Sequence, residues 1–292
     1  MPFATIEGIN TRYEVVGDGP PLLMFSPGGF DATLEKWSTL GVYAKTKPLA
    51  HLTPQYSCII FDRRETGQSG GRLERVTWAD YVAQGKGLLD HLHIKQAHLM
   101  GGCMGCSPVM AFGVAHPEAT LSMILYWPVG GAKYRISSQQ RFAEHLAFVH
   151  QQGLAAVVAL VTKDGKPFGG DPRGGPWASV LKHDHAFAEQ YAKVNVDHYK
   201  LLVAGMARTL IDRDTAPGAE PEDLLRLRIP TLIVPGSDAS HATSAARYLE
   251  ECIPGAEYWD MAAAAQTEAN APQRLLEFLA KVANMNSCRT ET

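Results

Sequence analysis

The sequence predicts an α/β protein: a mostly parallel sheet with helices on both faces and a helical cap inserted late in the sheet. Three observations carry this. Short apolar runs closed by glycine and proline recur from "PLLMFSPGGF" (21–30) to "TLIVPGSD" (231–238), as strands buried on both faces require. Segments with helical spacing of apolar residues separate these runs, the alternation that gives a parallel sheet. Between about Ala132 and Arg228 the alternation stops and helical patterns follow one another.

The elements follow in order. "FATIEGINTRYEVVG" (3–17) alternates loosely and ends in Gly-Asp-Gly, like a hairpin. "PLLMFSPGGF" and "YSCIIFDRRETGQSGG" (56–71) are buried strands entering glycine-rich loops. "TWADYVAQGKGLLDHLHI" (77–94) is a helix, and "QAHLMGGCMGCSPVMAFGVAHP" (96–117) is a strand, a glycine turn and a helix that stops at Pro117. "LSMILYWPVGG" (121–131) is the next strand. "IPTLIVPGSDASH" (229–241) and "AEYWDMA" (256–262) are two more, and "APQRLLEFLAKVA" (271–283) is the closing helix. The expected division is a core of 1–131 and 229–288, a cap of 132–228 and a polar tail of 289–292.

Bulk properties narrow the function classes. A chain of 292 residues, 46% hydrophobic, can bury a large core, and a net charge of −3 gives no electrostatic reason to expect nucleic acid or an anionic membrane as partner. The short cluster Arg63-Arg64 reads as a local feature of a turn. The N-terminal stretch lacks the basic and apolar regions of a signal peptide, and no apolar run is long enough to span a membrane. Five cysteines without regular spacing suit a reducing compartment. The expectation is a cytoplasmic protein with a small-molecule substrate, no cofactor and no metal; a homo-oligomer is compatible with the chain.

The chemistry centres on "HLMGGCMGC" (98–106). Gly101-Gly102-Cys103-Met104-Gly105 lies between a strand and a helix, with glycines flanking a nucleophilic residue on a turn too tight for side chains on either side. A helix N-terminus favours the thiolate, so cysteine suits the position. Two other readings exist for Cys103: an inert buried cysteine, and a redox pair with Cys106. The number of βα units exceeds a thioredoxin-like domain, and Cys106, one helical turn on, fits a packing role.

These features together resemble the α/β-hydrolase superfamily over nearly the whole chain. "LLMFSPGGF" resembles the strand and oxyanion loop, "FDRRETGQSGG" the Asp-x-Arg-Gly-x-Gly-x-Ser turn with Glu65 where glycine is common, and "TLIVPGSDASH" the strand that delivers a triad acid, here Asp238. The cysteine makes the site similar to dienelactone-hydrolase-type enzymes, while the cap resembles the esterase, carbon–carbon hydrolase and haloperoxidase-like branch. The resemblance implies an oxyanion hole from the backbone N–H of Met104 and that of Gly29 or Phe30.

It also implies a histidine after the last strand, near Ala264 or Ala265, where "YWDMAAAAQTEANAP" (258–272) has none. His241, three residues past Asp238, is the candidate base. His145, His150 and His198 in the cap are alternatives, and His183-x-His185 is too sparse for a metal site. A thiolate also attacks without a base, leaving water to be activated by Asp238, Asp260 or Glu268.

For the pocket, Tyr126, Trp127, Tyr134, Phe142 and Trp177 are candidate lining residues, with Phe148 beside them and Arg135 a candidate carboxylate ligand. The expected function is hydrolysis of a small ester, thioester or lactone through a Cys103 acyl-enzyme. The alternatives are a cofactor-free lyase or isomerase using Cys103 as acid/base and a ligand-binding protein without turnover.

Overall fold

The computed structural model describes residues 2–290. Eight strands form one sheet: β1 (Phe3–Ile6), β2 (Ile9–Val16), β3 (Pro21–Phe25), β4 (Ser57–Phe61), β5 (Ala97–Gly102), β6 (Thr120–Tyr126), β7 (Thr231–Val234) and β8 (Glu257–Tyr258). Their order is β1-β2-β4-β3-β5-β6-β7-β8. The pairs β1/β2 and β2/β4 are antiparallel and the remaining pairs parallel. The chain runs outward from β3 to β4, then returns past β3 to β5. The loops that leave β3 and β5 therefore diverge, opening a crevice at their carboxyl ends, where open α/β sheets bind ligands.

Strand periodicity sorts the core. Leu23 and Phe25 of β3, Ile59 and Phe61 of β4 and Leu125 of β6 join one apolar cluster. Leu22, Met24, Cys58, Ile60, Ile124 and Tyr126 join the other. The first is covered by α4 (Trp78–His91), α5 (Cys106–Ala115) and α12 (Thr243–Cys252). The second is covered by α1 (Lys36–Thr39), α2 (Gly41–Thr46), α3 (Pro48–Leu52) and α13 (Ala271–Thr290). Helix α13 runs on through residues 289 and 290, which were expected to be tail, because no glycine or proline follows Pro272 to stop it.

Between β6 and β7 lie α6 (Ala132–Gln152), α7 (Leu154–Asp164), α8 (Ala178–His183), α9 (His185–Ala192), α10 (Val196–Leu210) and the short α11 (Pro221–Leu224). Residues of α6 to α10 share an apolar cluster with Phe30, Tyr81, Met104 and Val129, so this layer is sealed onto the end of the sheet where the strand loops converge. Among the described residues no single helix is long and apolar enough to cross a membrane.

The turn after β4 carries the heaviest load of buried charge. Asp62 accepts the N–H groups of Leu34 and Gln68, both at 2.8 Å, and pairs with Arg12 at 3.3 Å. Glu65 has a φ of 64°, which explains why glycine is common at this position, and its buried carboxylate binds Arg64 at 3.0 Å. Arg63 and Arg64 are both fully buried rather than surface features of a turn. Replacing Asp62 with alanine leaves the N–H groups of Leu34 and Gln68 unmatched and removes one of the two carboxylates, Asp62 and Glu35, that face the buried Arg12. The expected loss is about 3–5 kcal/mol, read as a lower urea midpoint at unchanged slope.

Candidate active site

Strand β5 ends in a left-handed turn. Cys103 has a φ of 54° and opens a single 3₁₀ turn, Cys103–Gly105, that leads directly into α5. A side chain at Gly101 would place its Cβ 2.4 Å from the Gly105 carbonyl oxygen, and one at Gly105 would place it 2.3 Å from that of Phe25. The glycines are thus required by the backbone contacts that hold Cys103 in a conformation costing of order 1–3 kcal/mol. The turn raises the thiol to the crevice, half-buried. Cys106 faces away; its buried thiol donates to the carbonyls of Gly101 (3.1 Å) and Tyr126 (3.5 Å), and burial pushes it up well above the usual thiol range. Both cysteines are free thiols.

His241 stands beside Cys103. Its Nδ1 lies 2.8 and 2.9 Å from the two Asp238 carboxylate oxygens. Asp238 Oδ1 also accepts the N–H groups of Ser240 (2.8 Å) and His241 (3.0 Å), so acid and histidine are fixed within one four-residue loop after β7. The buried Nε2 has no hydrogen-bond partner; His241 and Cys103 line the same cavity and interact electrostatically. Burial opposes charge on both groups. The mutual attraction outweighs it: the thiol is held below its usual range by His241 and the N–H groups of Gly28 and Met104, and His241 is raised to about 9 by Cys103 and Asp238. Both shifts favour the charged forms, thiolate and imidazolium, over what each group would show alone. Burial also opposes charge on Asp238, but His241 keeps its carboxyl below the usual range.

Backbone N–H groups of Met104 and Gly28 lie at the Cys103 sulfur. Arg63 Nη2 binds the carbonyls of Gly28 and, at 2.6 Å, Gly29. In trans peptides this turns the N–H groups of Gly29 and Phe30 away from Arg63. Both residues line the cavity.

The loop after β8 holds a buttress where the resemblance implies a histidine. Ala263–Ala265 form a 3₁₀ turn, and the buried Gln266 accepts from Trp127 Nε1 at 2.8 Å while donating to the Pro235 carbonyl at 2.8 Å. The Trp127 ring lies 5.4 Å from the His241 ring. An isolated bridge joins His241 to Gly130, with the Gly130 N–H on Ser240 O at 3.0 Å. Side-chain stacking and backbone pairing thus place the histidine from two directions.

Above these residues is a cavity of about 420 Å³ lined by Trp127, Tyr134 and Phe142, as expected, and by Phe30, Phe168 and Arg141. Two expected lining residues are elsewhere. Tyr126 alternates onto the α13 side of the sheet, where its hydroxyl meets Thr46 at 2.9 Å. Trp177 is fully buried in the cap core, donating to the Arg72 carbonyl at 2.8 Å. Phe148 lies under Arg173 in the cap, and Arg135 is exposed and paired with Asp214 at 3.1 Å. His145 is buried between Arg173 O and the Tyr199 hydroxyl, while His150, His183, His185 and His198 are exposed. Asp260 pairs with Arg247, and Glu268 with Lys47 and His51, outside the cavity. Gly28, Gln266 and Arg141 were missed. Arg141 alone had a sequence signal, the helical spacing of Tyr134, Ser138, Arg141 and Phe142.

A parallel sheet with a nucleophile-type turn after its central strand, and an Asp–His loop facing that turn, defines the α/β-hydrolase class of fold. Residues 21–138 match the family model described as the alpha/beta hydrolase fold. The match spans 118 of the 292 residues, and the fold it describes is the one that the eight-stranded sheet shows. Among solved structures it is similar to the enol-lactonase from Burkholderia xenovorans LB400 (TM-score 0.61, 18% identity, covering 96% of this chain and 100% of that one). It is also similar to a thermophilic esterase from Thermogutta terrifontis (TM-score 0.62, 17% identity, covering 96% and 98%). A curated relative from Cupriavidus necator, the dihydrolipoyllysine-residue acetyltransferase component of an acetoin cleaving system, is 31% identical over 128 residues, 44% of this chain. The chain spans about a third of that relative's length, the match covering 32% of it.

Two measurements test this geometry. The rate of Cys103 alkylation by iodoacetamide should reach half its maximum below the free-thiol value of about 8.5. In His241→Ala, burial remains without its counter-charge, so the midpoint should rise above that value and the rate at neutral pH fall at least about tenfold. In Gln266→Met the indole N–H is left buried and unpaired, a cost of about 1–3 kcal/mol. The alkylation midpoint should then move toward that of His241→Ala; a midpoint unchanged from the native protein would show that the buttress does not position the histidine.

Proposed function

We propose that the protein hydrolyses a small ester, thioester or lactone through a Cys103 acyl-enzyme. The observation that carries this reading is that Cys103, His241 and Asp238 line one cavity, with Nδ1 of His241 on the carboxylate and its buried Nε2 without a hydrogen-bond partner. The enol-lactonase and esterase among its structural neighbours support the substrate class.

The steps follow from the geometry. The thiolate attacks the carbonyl carbon and forms the C–S bond while the carbonyl π electrons move to oxygen. That charge lies near the N–H groups of Met104 and the Gly28–Phe30 loop; a single donor of this kind typically contributes about 2.7–4 kcal/mol. Collapse breaks the bond to the leaving alkoxide or thiolate, which takes the Nε2 proton of the imidazolium. His241, now neutral, accepts a proton from water as it attacks the thioester. Collapse releases the carboxylic acid and restores the thiolate–imidazolium pair. Asp238 holds the ring in the tautomer both proton transfers need.

The proposal is tested with p-nitrophenyl acetate, following p-nitrophenol release and intact-protein mass. Cys103→Ala should release no more than the uncatalysed background. His241→Ala should lose about 10²–10⁴-fold in turnover and retain an acetyl group on the cysteine, because the second step needs the base more than the first. Undiminished turnover in Cys103→Ala would overturn the mechanism. Substrate conversion without incorporation of solvent oxygen would favour lyase or isomerase chemistry.

A further inference from the structure

Among the described residues that line the cavity, one cation has no carboxylate paired with it. The charged lining comprises Asp31, Lys36, Arg141, Asp238 and His241 besides Cys103. Asp31 and Lys36 pair at 2.8 Å, and Asp238, His241 and Cys103 form the catalytic relay. Among the described residues no carboxylate pairs with Arg141. The guanidinium belongs to the inward face of α6, where Tyr134, Ser138, Arg141 and Phe142 recur at helical spacing and all line the cavity. Tyr134 and Ser138 lie one turn apart on α6 and both line the cavity, so this face carries two hydroxyl residues as well as the cation. Phe30, Val129, Phe142 and Phe168 make the surrounding lining apolar.

Arg141 is half-buried at an apolar-walled cavity, where a ligand of opposite charge offsets the hydration that such a cation gives up. The planar fork of a guanidinium matches a carboxylate bidentately, and one guanidinium balances one negative charge. We propose that Arg141, with the Tyr134–Ser138 hydroxyl pair, is a carboxylate-binding subsite. The substrate is then an ester, thioester or lactone that carries a carboxylate away from the reacting carbonyl. This rests on the hydrolase reading of the same cavity. Cys103 belongs to the sheet and Arg141 to the cap, so such a substrate bridges the two layers, its carbonyl on the thiolate and its carboxylate under α6. The carboxylate belongs either to the acyl part or to the leaving group, and the choice is experimental.

The test compares matched charged and neutral substrates. For the acyl side these are the p-nitrophenyl hemiester of glutaric acid and its methyl-capped diester; for the leaving side, p-carboxyphenyl acetate and phenyl acetate. The expected result is a preference in kcat/KM for the charged member of one pair by at least about tenfold, weakening as salt rises. Arg141→Gln should reduce that preference at least about tenfold, mainly through KM, and Arg141→Lys should retain part of it. Which pair responds assigns the carboxylate to the acyl or the leaving side.

A second readout needs no turnover. Glutarate should protect Cys103 from alkylation by iodoacetamide in the native protein and protect it less in Arg141→Gln; glutaramide should protect neither. Equal kcat/KM within both pairs, or glutarate protection that is absent or unaffected by Arg141→Gln, would overturn the subsite while leaving Cys103 acylation and turnover intact. If Cys103 is never acylated, the hydrolase reading fails, and the glutarate experiment still decides the subsite.

Discussion

The electrostatic coupling between a sulfur and an imidazole is the interaction on which the site depends. Burial penalises charge on each group alone. Each favours the charged form of the other, and Asp238 on the far side of the ring biases the arrangement further. The surrounding structure maintains the geometry of that pair. The left-handed turn lifts Cys103, two peptide N–H groups address its sulfur, and the Asp238–His241 loop closes on it from the next strand but one.

The support reaches well beyond the contacting residues. Arg63, fully buried beneath the oxyanion loop, orients its peptides through their carbonyls while lying 5.1 Å from the centre of the Tyr81 ring. Arg63 is itself placed by the turn that Asp62 and Ser69 fasten to β2. On the other side, Gln266 secures Trp127, and Trp127 backs His241. The loop after β8 therefore contributes to positioning without supplying a reacting atom.

Much of this was legible in the sequence. The alternating apolar runs foretold the sheet because strands buried on both faces leave little choice of residue type. The flanking glycines of Cys103 were legible because the turn excludes any larger residue, and Asp238 and His241 because a short loop after a buried strand keeps them together. The errors have physical causes. Tyr126 is the last residue of β6, and strand alternation, not proximity to the crevice, decided its side. Trp177 belongs to a cap whose own core absorbs its largest side chains. Gly28 was missed because its N–H reaches the sulfur through the path of the loop backbone, which no side-chain pattern records. Gln266 was missed because its partners come from β6 and β7, far away in sequence.

The bridge between Gly130 and His241 has a consequence for how such a site can change. Gly130 belongs to the segment through which the chain leaves β6 for the cap, and His241 is the histidine that Asp238 holds in the cavity. The stem of the lid and that imidazole share the same peptide hydrogen bonds. Variation that re-angles the lid to admit a bulkier guest will also displace the imidazole, so the breadth of what enters and the speed of the chemistry are inherited together. Variation confined to the inner face of the lid, farther along α6, escapes that coupling and is the freer route to altered selectivity.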